Sequence, residues 1–196
     1  NRGSWLDFEF DVKDLLYFRV DRKKKILVST LLLALGFNKS DMINEFYDKE
    51  VYNFDSKSKK WKTKFNPENY KSKNFSEEII DAKSNKVIIK KGEKINYLKA
   101  KKLHSDGLKE IIVSSEFLFG KYLTKQFILG EDTFKIGTEL NETIVNKIIE
   151  QNITTIETAY TNSINKGPYL LQTIFNDKNE SKNDAINEIY KVLRPG

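Results

Sequence analysis

Trp5-Leu6-Asp7-Phe8-Glu9-Phe10-Asp11 is the stretch on which the reading of this chain turns. Leu6, Phe8 and Phe10 alternate with Asp7, Glu9 and Asp11, so a half-buried strand is expected. After the polar break Val12-Lys13-Asp14 the alternation resumes, with Leu16, Phe18 and Val20 against Tyr17, Arg19 and Asp21. Two such runs about a short break predict an antiparallel hairpin. A basic cluster, Arg22-Lys23-Lys24-Lys25, follows directly. Ser29-Thr30 predicts the cap of a short helix through Leu35, with Gly36 as its left-handed stop, and Ser40-Asp41 opens a second helix to about Lys49. A helix-turn-helix reading of this pair fails on charge. Asp41, Glu45 and Asp48 would be driven toward phosphates, and only Lys49 favours them.

The whole chain of 196 residues is long enough for one or two domains and a sizeable core. It has no cysteine, which excludes disulfides, zinc ribbons, thiolate nucleophiles and iron–sulfur sites, and suggests a reducing, cytoplasmic setting. The single histidine, His104, excludes His-dependent triads and multi-His metal sites, and its place beside an expected helix end reads as a cap. There is no Gly-rich phosphate loop, no nucleophile elbow and no carboxylate pair with a plausible base, so no catalytic residue, metal ligand or cofactor is expected. No apolar run approaches the ~20 residues a bilayer demands, and no signal peptide is present. Starting at Asn1 and stopping on Arg194-Pro195-Gly196, the chain reads as an excised piece of something larger.

The net charge of +6 and pI near 9.2 invite a nucleic-acid reading, yet the charge is unevenly spread. Residues 1–48 carry eight basic and eight acidic side chains, whereas residues 49–104 carry sixteen and seven. Arginine occurs only at 2, 19, 22 and 194, so lysine, a point charge without the planar fork, supplies the rest. The run Lys57 to Lys64, with aromatics Tyr52, Phe54, Trp61, Phe65, Tyr70 and Phe75 around it, suits either a half-buried strand pair or a single-strand stacking surface.

Lys90-Lys91-Gly92-Glu93-Lys94-Ile95-Asn96 aligns with Lys135-Ile136-Gly137-Thr138-Glu139-Leu140-Asn141 at a constant shift of 45. Carried forward, the shift pairs Leu103 with Ile148, Gly107 with Asn152, and Ile111 with Ile156. Each copy, near 86–116 and 131–161, reads as strand, turn, helix, left-handed stop and strand; coincidence between two similar units is the alternative. Near the end, Ala185, Ile186, Ile189, Tyr190 and Leu193 form an apolar helical stripe that needs a partner, for which the hairpin and helices of residues 1–48 are the candidates. The expected fold class is therefore α+β: a discontinuous domain of residues 1–48 and 163–196, interrupted by an inserted α+β module, residues 49–162, with a two-fold internal repeat.

Arg2-Gly3-Ser4-Trp5-Leu6-Asp7-Phe8-Glu9-Phe10-Asp11, Phe18-Arg19-Val20-Asp21-Arg22-Lys23-Lys24-Lys25, Leu33-Ala34-Leu35-Gly36-Phe37, Gly167-Pro168-Tyr169 and Glu188 to Gly196 resemble the lobe domain of bacterial DNA-directed RNA polymerase β subunits. The middle is similar to the lineage-specific insertion that some β subunits carry in the lobe. The resemblance implies a non-catalytic jaw of the polymerase cleft that contacts downstream DNA and the non-template strand, within a parent complex that is a nucleotidyltransferase. The implied DNA-binding residues are Arg2, Arg22, Lys23, Lys24, Lys25, Arg194 and Gly196. The family's basic residue before the last helix has no match in Ile174-Phe175-Asn176-Asp177. Implied partners are DNA and, through the parent subunit, the β′, α and ω subunits and a sigma factor, with transcription regulators on the insertion and no membrane. A stand-alone lysine-rich module that binds acidic partners is the competing reading.

Overall fold

In the computed structural model, which describes residue 3 and residues 5–194, the opening alternation becomes β1 (Leu6–Phe10), paired antiparallel with β2 (Leu16–Val20). Asp11 makes the turn, its Oδ1 accepting from the Lys13 and Leu15 amides at 2.9 and 3.0 Å, while Asp14 adopts a φ of 60°. A short β3 (Ile26–Leu27) completes a three-stranded sheet in the order β1-β2-β3. Two helices follow, α1 (Val28–Ala34) and α2 (Lys39–Phe46).

Both helix starts differ from expectation. Ser29 and Thr30 do not cap α1; they are buried inside it, and their hydroxyls donate to the Asp177 carboxylate at 2.5 and 2.9 Å. A buried carboxylate needs such donors more than a helix end open to water does. The opening of α2 is a capping box between Asn38 and Asp41 rather than Ser40, and the helix stops at Phe46 because Lys49 already begins a strand.

The chain divides into two compact units: residues 1–48, 122–138 and 161–196, and residues 49–121 with 139–160. In the first, the largely apolar stretch after Pro168 is a helix that the sequence did not announce, α5 (Tyr169–Asn176), and beyond a polar loop lies α6 (Lys182–Leu193), capped by Ser181. Ile189 and Val192 of α6 pack with Leu31 and Leu32 of α1 against the buried Phe18, Ile26 and Val28. The Leu16 amide donates to Thr173 Oγ1 at 2.9 Å, tying β2 to α5.

The first unit also holds residues 122–138, where the sequence placed them in the 49–162 module. They form β11 (Tyr122–Leu123), β12 (Phe127–Leu129) and β13 (Asp132–Phe134). Close contact with α5 explains the assignment. A Cβ at Gly137, φ 88°, would lie 2.4 Å from the Leu171 carbonyl oxygen, and Lys135 Nζ donates to the Phe175 carbonyl at 3.0 Å.

The second unit begins with the hairpin β4 (Lys49–Asp55) and β5 (Lys60–Lys64). Then come β6 (Ser72–Asn74), β7 (Ile79–Asp81), β8 (Val87–Ile89), β9 (Lys94–Asn96), α3 (Tyr97–Ser105) and β10 (Glu110–Val113), and finally α4 (Glu142–Glu150) and β14 (Thr155–Ala159). Six of these strands neighbour one another in the order β14-β4-β5-β10-β7-β8, each described pairing antiparallel. The aromatics of the lysine-rich stretch are its core. Tyr52, Trp61, Phe65, Tyr70 and Phe75 are all at most 2% exposed, and Tyr70 stacks between Phe65 and Phe75 at 4.9 and 5.7 Å. A single-strand stacking surface is thereby ruled out, and the half-buried strand pair stands.

Hydrogen bonds recur at the shift of 45. Asn96 and Asn141 cap α3 and α4, each side-chain oxygen accepting from the amide three residues on at 2.9 Å. The Leu108 amide returns to the Leu103 carbonyl as Ile153 does to Ile148, and Gly107 and Asn152 both have positive φ. Lys109 Nζ, not the His104 ring, caps the α3 terminus by donating to the His104 carbonyl at 2.9 Å.

Candidate nucleic-acid interface

The basic residues expected to face DNA start at the turn between β2 and β3. Asp21 and Arg22 have φ values of 51° and 59°, and the Lys23 amide closes the turn on the Val20 carbonyl at 3.1 Å. Two consecutive left-handed residues match the twist of the flanking strands in a tight turn and hold the residues of the tip out in water. Arg22 and Lys24 are exposed, and Lys25 is half-buried with its ammonium 4.3 Å from the centre of the Tyr17 ring.

Lys23 crosses to the other end of the chain. Its Nζ donates to the Leu193 carbonyl at 2.6 Å, in the last turn of α6, where unpaired carbonyls and the negative end of the helix dipole favour a cation. That bond draws the turn to Arg194, which is exposed with its guanidinium 6.0 Å from the Tyr190 ring centre. Arg22, Lys23, Lys24 and Arg194, up to 172 residues apart in sequence, so form one cationic corner. Among the described residues none of them, nor Lys25, makes an ion pair with a carboxylate. The nearest acidic side chain in the turn, Asp21, is occupied: Oδ1 accepts from the Trp5 amide at 2.8 Å, and its own amide donates to the Trp5 carbonyl at 2.9 Å.

Those two bonds bring Trp5 to the same corner. Its side chain is 76% exposed, unusual for the largest apolar residue beside four cations. Sequence reasoning treated it only as the first residue of the alternation. The signal was available: Trp5 shares the parity of Asp7, Glu9 and Asp11, so the alternation assigns it to the polar face. Arg2 and Gly196 lie outside the described residues.

Chemically, the corner can bind phosphate and stack a base. Arg supplies a planar fork for two phosphate oxygens, Lys a mobile charge, and an exposed indole a flat apolar face. It contains no nucleophile–base pair, and no group of three or more potential metal ligands occurs among the described residues. Beyond Lys25 an open groove of about 610 Å³ runs along α6, but Lys25, Lys178 and Lys191 there are balanced by Asp177, Asp184 and Glu188, so it does not extend the cationic field. Asp177 itself is buried against α1, so that position faces the core and not the groove's solvent. No helix among the described residues is long and apolar enough to cross a membrane.

Comparison with known proteins bears on the same residues. The family model for RNA polymerase Rpb2, domain 2, matches residues 1–131. The DNA-directed RNA polymerase subunit beta of Rickettsia felis is 38% identical over 198 residues, covering 100% of this chain and 14% of that protein. The corresponding subunits of Rickettsia massiliae and Rickettsia canadensis are 37% and 36% identical over the same coverage. The chain thus spans about one seventh of the length of these relatives.

Proposed function

We propose a function for this chain, which belongs to the RNA polymerase Rpb2 domain 2 family and is a fragment of a bacterial RNA polymerase β subunit: its first unit is the lobe that holds DNA in the transcribing enzyme. The observation that carries the reading is the bond from Lys23 to the Leu193 carbonyl, because it unites Arg22, Lys24 and Arg194 beside the exposed Trp5. Arg22, Lys24 and Arg194 neutralise backbone phosphates and so position DNA without reading sequence. Trp5 stacks on an unpaired base of the non-template strand, a contact that tolerates any base. In this reading Arg2 and Gly196, named by the family resemblance, also contact DNA. The remaining subunits, β′, α and ω, and the sigma factor engage the fragment through the parent subunit, whose nucleotidyl transfer is carried out elsewhere.

The second unit is, in this reading, the insertion, a surface module on which transcription regulators dock. It is supported by the separate core around Trp61 and Tyr70 and by the recurrence of caps and stops at a shift of 45, the mark of a duplicated, rigid platform.

The test uses polymerase containing the full-length subunit. Arg22→Ala and Arg194→Ala should each flatten the salt dependence of DNA binding by about one unit of log–log slope, with no preference among sequences. Trp5→Ala should shorten the lifetime of complexes with melted DNA while leaving the salt slope intact. Unchanged slopes for both arginine variants would sink the reading.

A further inference from the structure

We propose that the apolar strip along β1 is an interface inside the parent subunit, covered by a segment of the same polypeptide that lies outside these 196 residues. The register Leu6↔Val20, Phe8↔Phe18 and Phe10↔Leu16 puts the three β1 side chains on the face that Phe18 presents to the core. Phe18 is 1% exposed beneath α1 and α6, yet Leu6, Phe8 and Phe10 are 49%, 56% and 55% exposed. The apolar face therefore runs out past its cover. At one end Phe10 leans on Tyr169, ring centres 5.1 Å apart, at an apolar cavity of about 320 Å³ lined also by Val28, Leu32, Phe46 and Leu170. Just past the same end of the strand Val12 is fully exposed. A contiguous strip of this kind, ending in a pocket, is the signature of a covered surface.

The occupant follows from charge and length. Asp7 and Glu9 stand on the opposite face of the same strand, with Asp11 just beyond, against a single cation on β2, Arg19, which Glu9 holds at 2.8 Å; the edge is net acidic and disfavours phosphate, so nucleic acid does not sit along it. The relatives that match the chain from end to end are about seven times longer, so most of the subunit lies outside it, and a tethered segment arrives at high effective concentration. The strip rests on membership in the family, not on the DNA contacts proposed above, and is tested separately from them.

The experiment places the photoreactive p-benzoylphenylalanine at Phe8 in assembled polymerase carrying the full-length subunit and identifies crosslinked peptides by mass. The expected product joins residue 8 to a β peptide beyond residues 1–196. A crosslink to another subunit, to DNA or only within residues 1–196, or no crosslink at all, overturns the proposal. In the same enzyme, alkylation of Phe8→Cys should be at least about tenfold slower than that of Ser56→Cys on the exposed β4–β5 turn. Equal rates would mean that the strip stays open to water, and would likewise overturn it. Arginine variants that lose their salt effect while the crosslink persists would defeat the DNA reading alone.

Discussion

β1, Leu-Asp-Phe-Glu-Phe, and β5, Lys-Trp-Lys-Thr-Lys, alternate with equal regularity, but only one of them buries anything. Trp61 and Thr63 of β5 are 0% and 3% exposed, while all five residues of β1 are exposed. The difference is position in the sheet. β5 pairs on both sides, with β4 and β10, under a cover of side chains from its own unit; β1 pairs only with β2 and reaches past α1 and α6. Period two announces a strand with two chemically distinct faces. What lies over either face is a property of other segments, here absent for β1 and close at hand for β5.

The largest way to sharpen the contrast is Trp61→Ala. Removing a fully buried indole whose Nε1 donates to Ser115 Oγ at 2.9 Å should cost about 3–5 kcal/mol, read as a shift in the denaturant midpoint of the second unit. A change below about 1 kcal/mol would mean that β5 is not the centre of a packed core.

Alkaline pH comes next. Burial pushes the Tyr52 and Tyr70 hydroxyls above their ordinary value, most strongly through desolvation and secondarily through the Glu50 carboxylate. A folded-state pKa raised above the unfolded value near 10 means that the stabilisation is fully present below about pH 10 and is lost as pH rises through the folded values. Each tyrosine should then remove about 1.4 kcal/mol per pH unit above 10, and Tyr70→Phe should remove its share of that slope. Denaturant melts at pH 8 and pH 11 measure this directly, and a pH-independent second unit would contradict the burial of both rings.

The smallest expected effect is Phe8→Ala in the chain itself. An edge side chain more than half exposed should change stability by no more than about 0.5 kcal/mol. A large loss would mean that β1 is already covered within these residues, and the comparison with β5 would collapse.

Much of the local structure was legible. The opening hairpin and the left-handed stops at Gly107 and Asn152 follow from alternation and from glycine and asparagine geometry, whereas the stripe of α6 holds only in part: Ala185 is buried and Ile189 packs on the core, but Ile186 and Tyr190 are exposed and Val192 packs where they were expected. The start of α1 was not, because Ser29 and Thr30 serve Asp177, roughly 147 residues away, and no local pattern carries that partner. α5 escaped because its stripe, Leu170, Leu171 and Ile174, sits between Pro168 and a polar loop that reads as a connection. Of the site, the run Arg22 to Lys25 and the terminal Arg194 stood out as basic residues, whereas their union at one corner, and the entry of Trp5 into it, did not.

α3 and α4 mark the boundary between the two kinds of information. Both have nine residues, an Asn cap and a left-handed stop, yet α3 buries only Ala100 while α4 buries Val145 and Ile148. By itself the sequence determined the opening hairpin, the left-handed stops at Gly107 and Asn152 and where α3 and α4 lie, since turns, stops and alternation act over a few residues. Tertiary structure alone decided which faces are covered, that residues 122–138 join the chain ends, and that Lys23 meets Leu193. Burial and charge clustering depend on segments far apart in the chain, and those distances are closed only by folding.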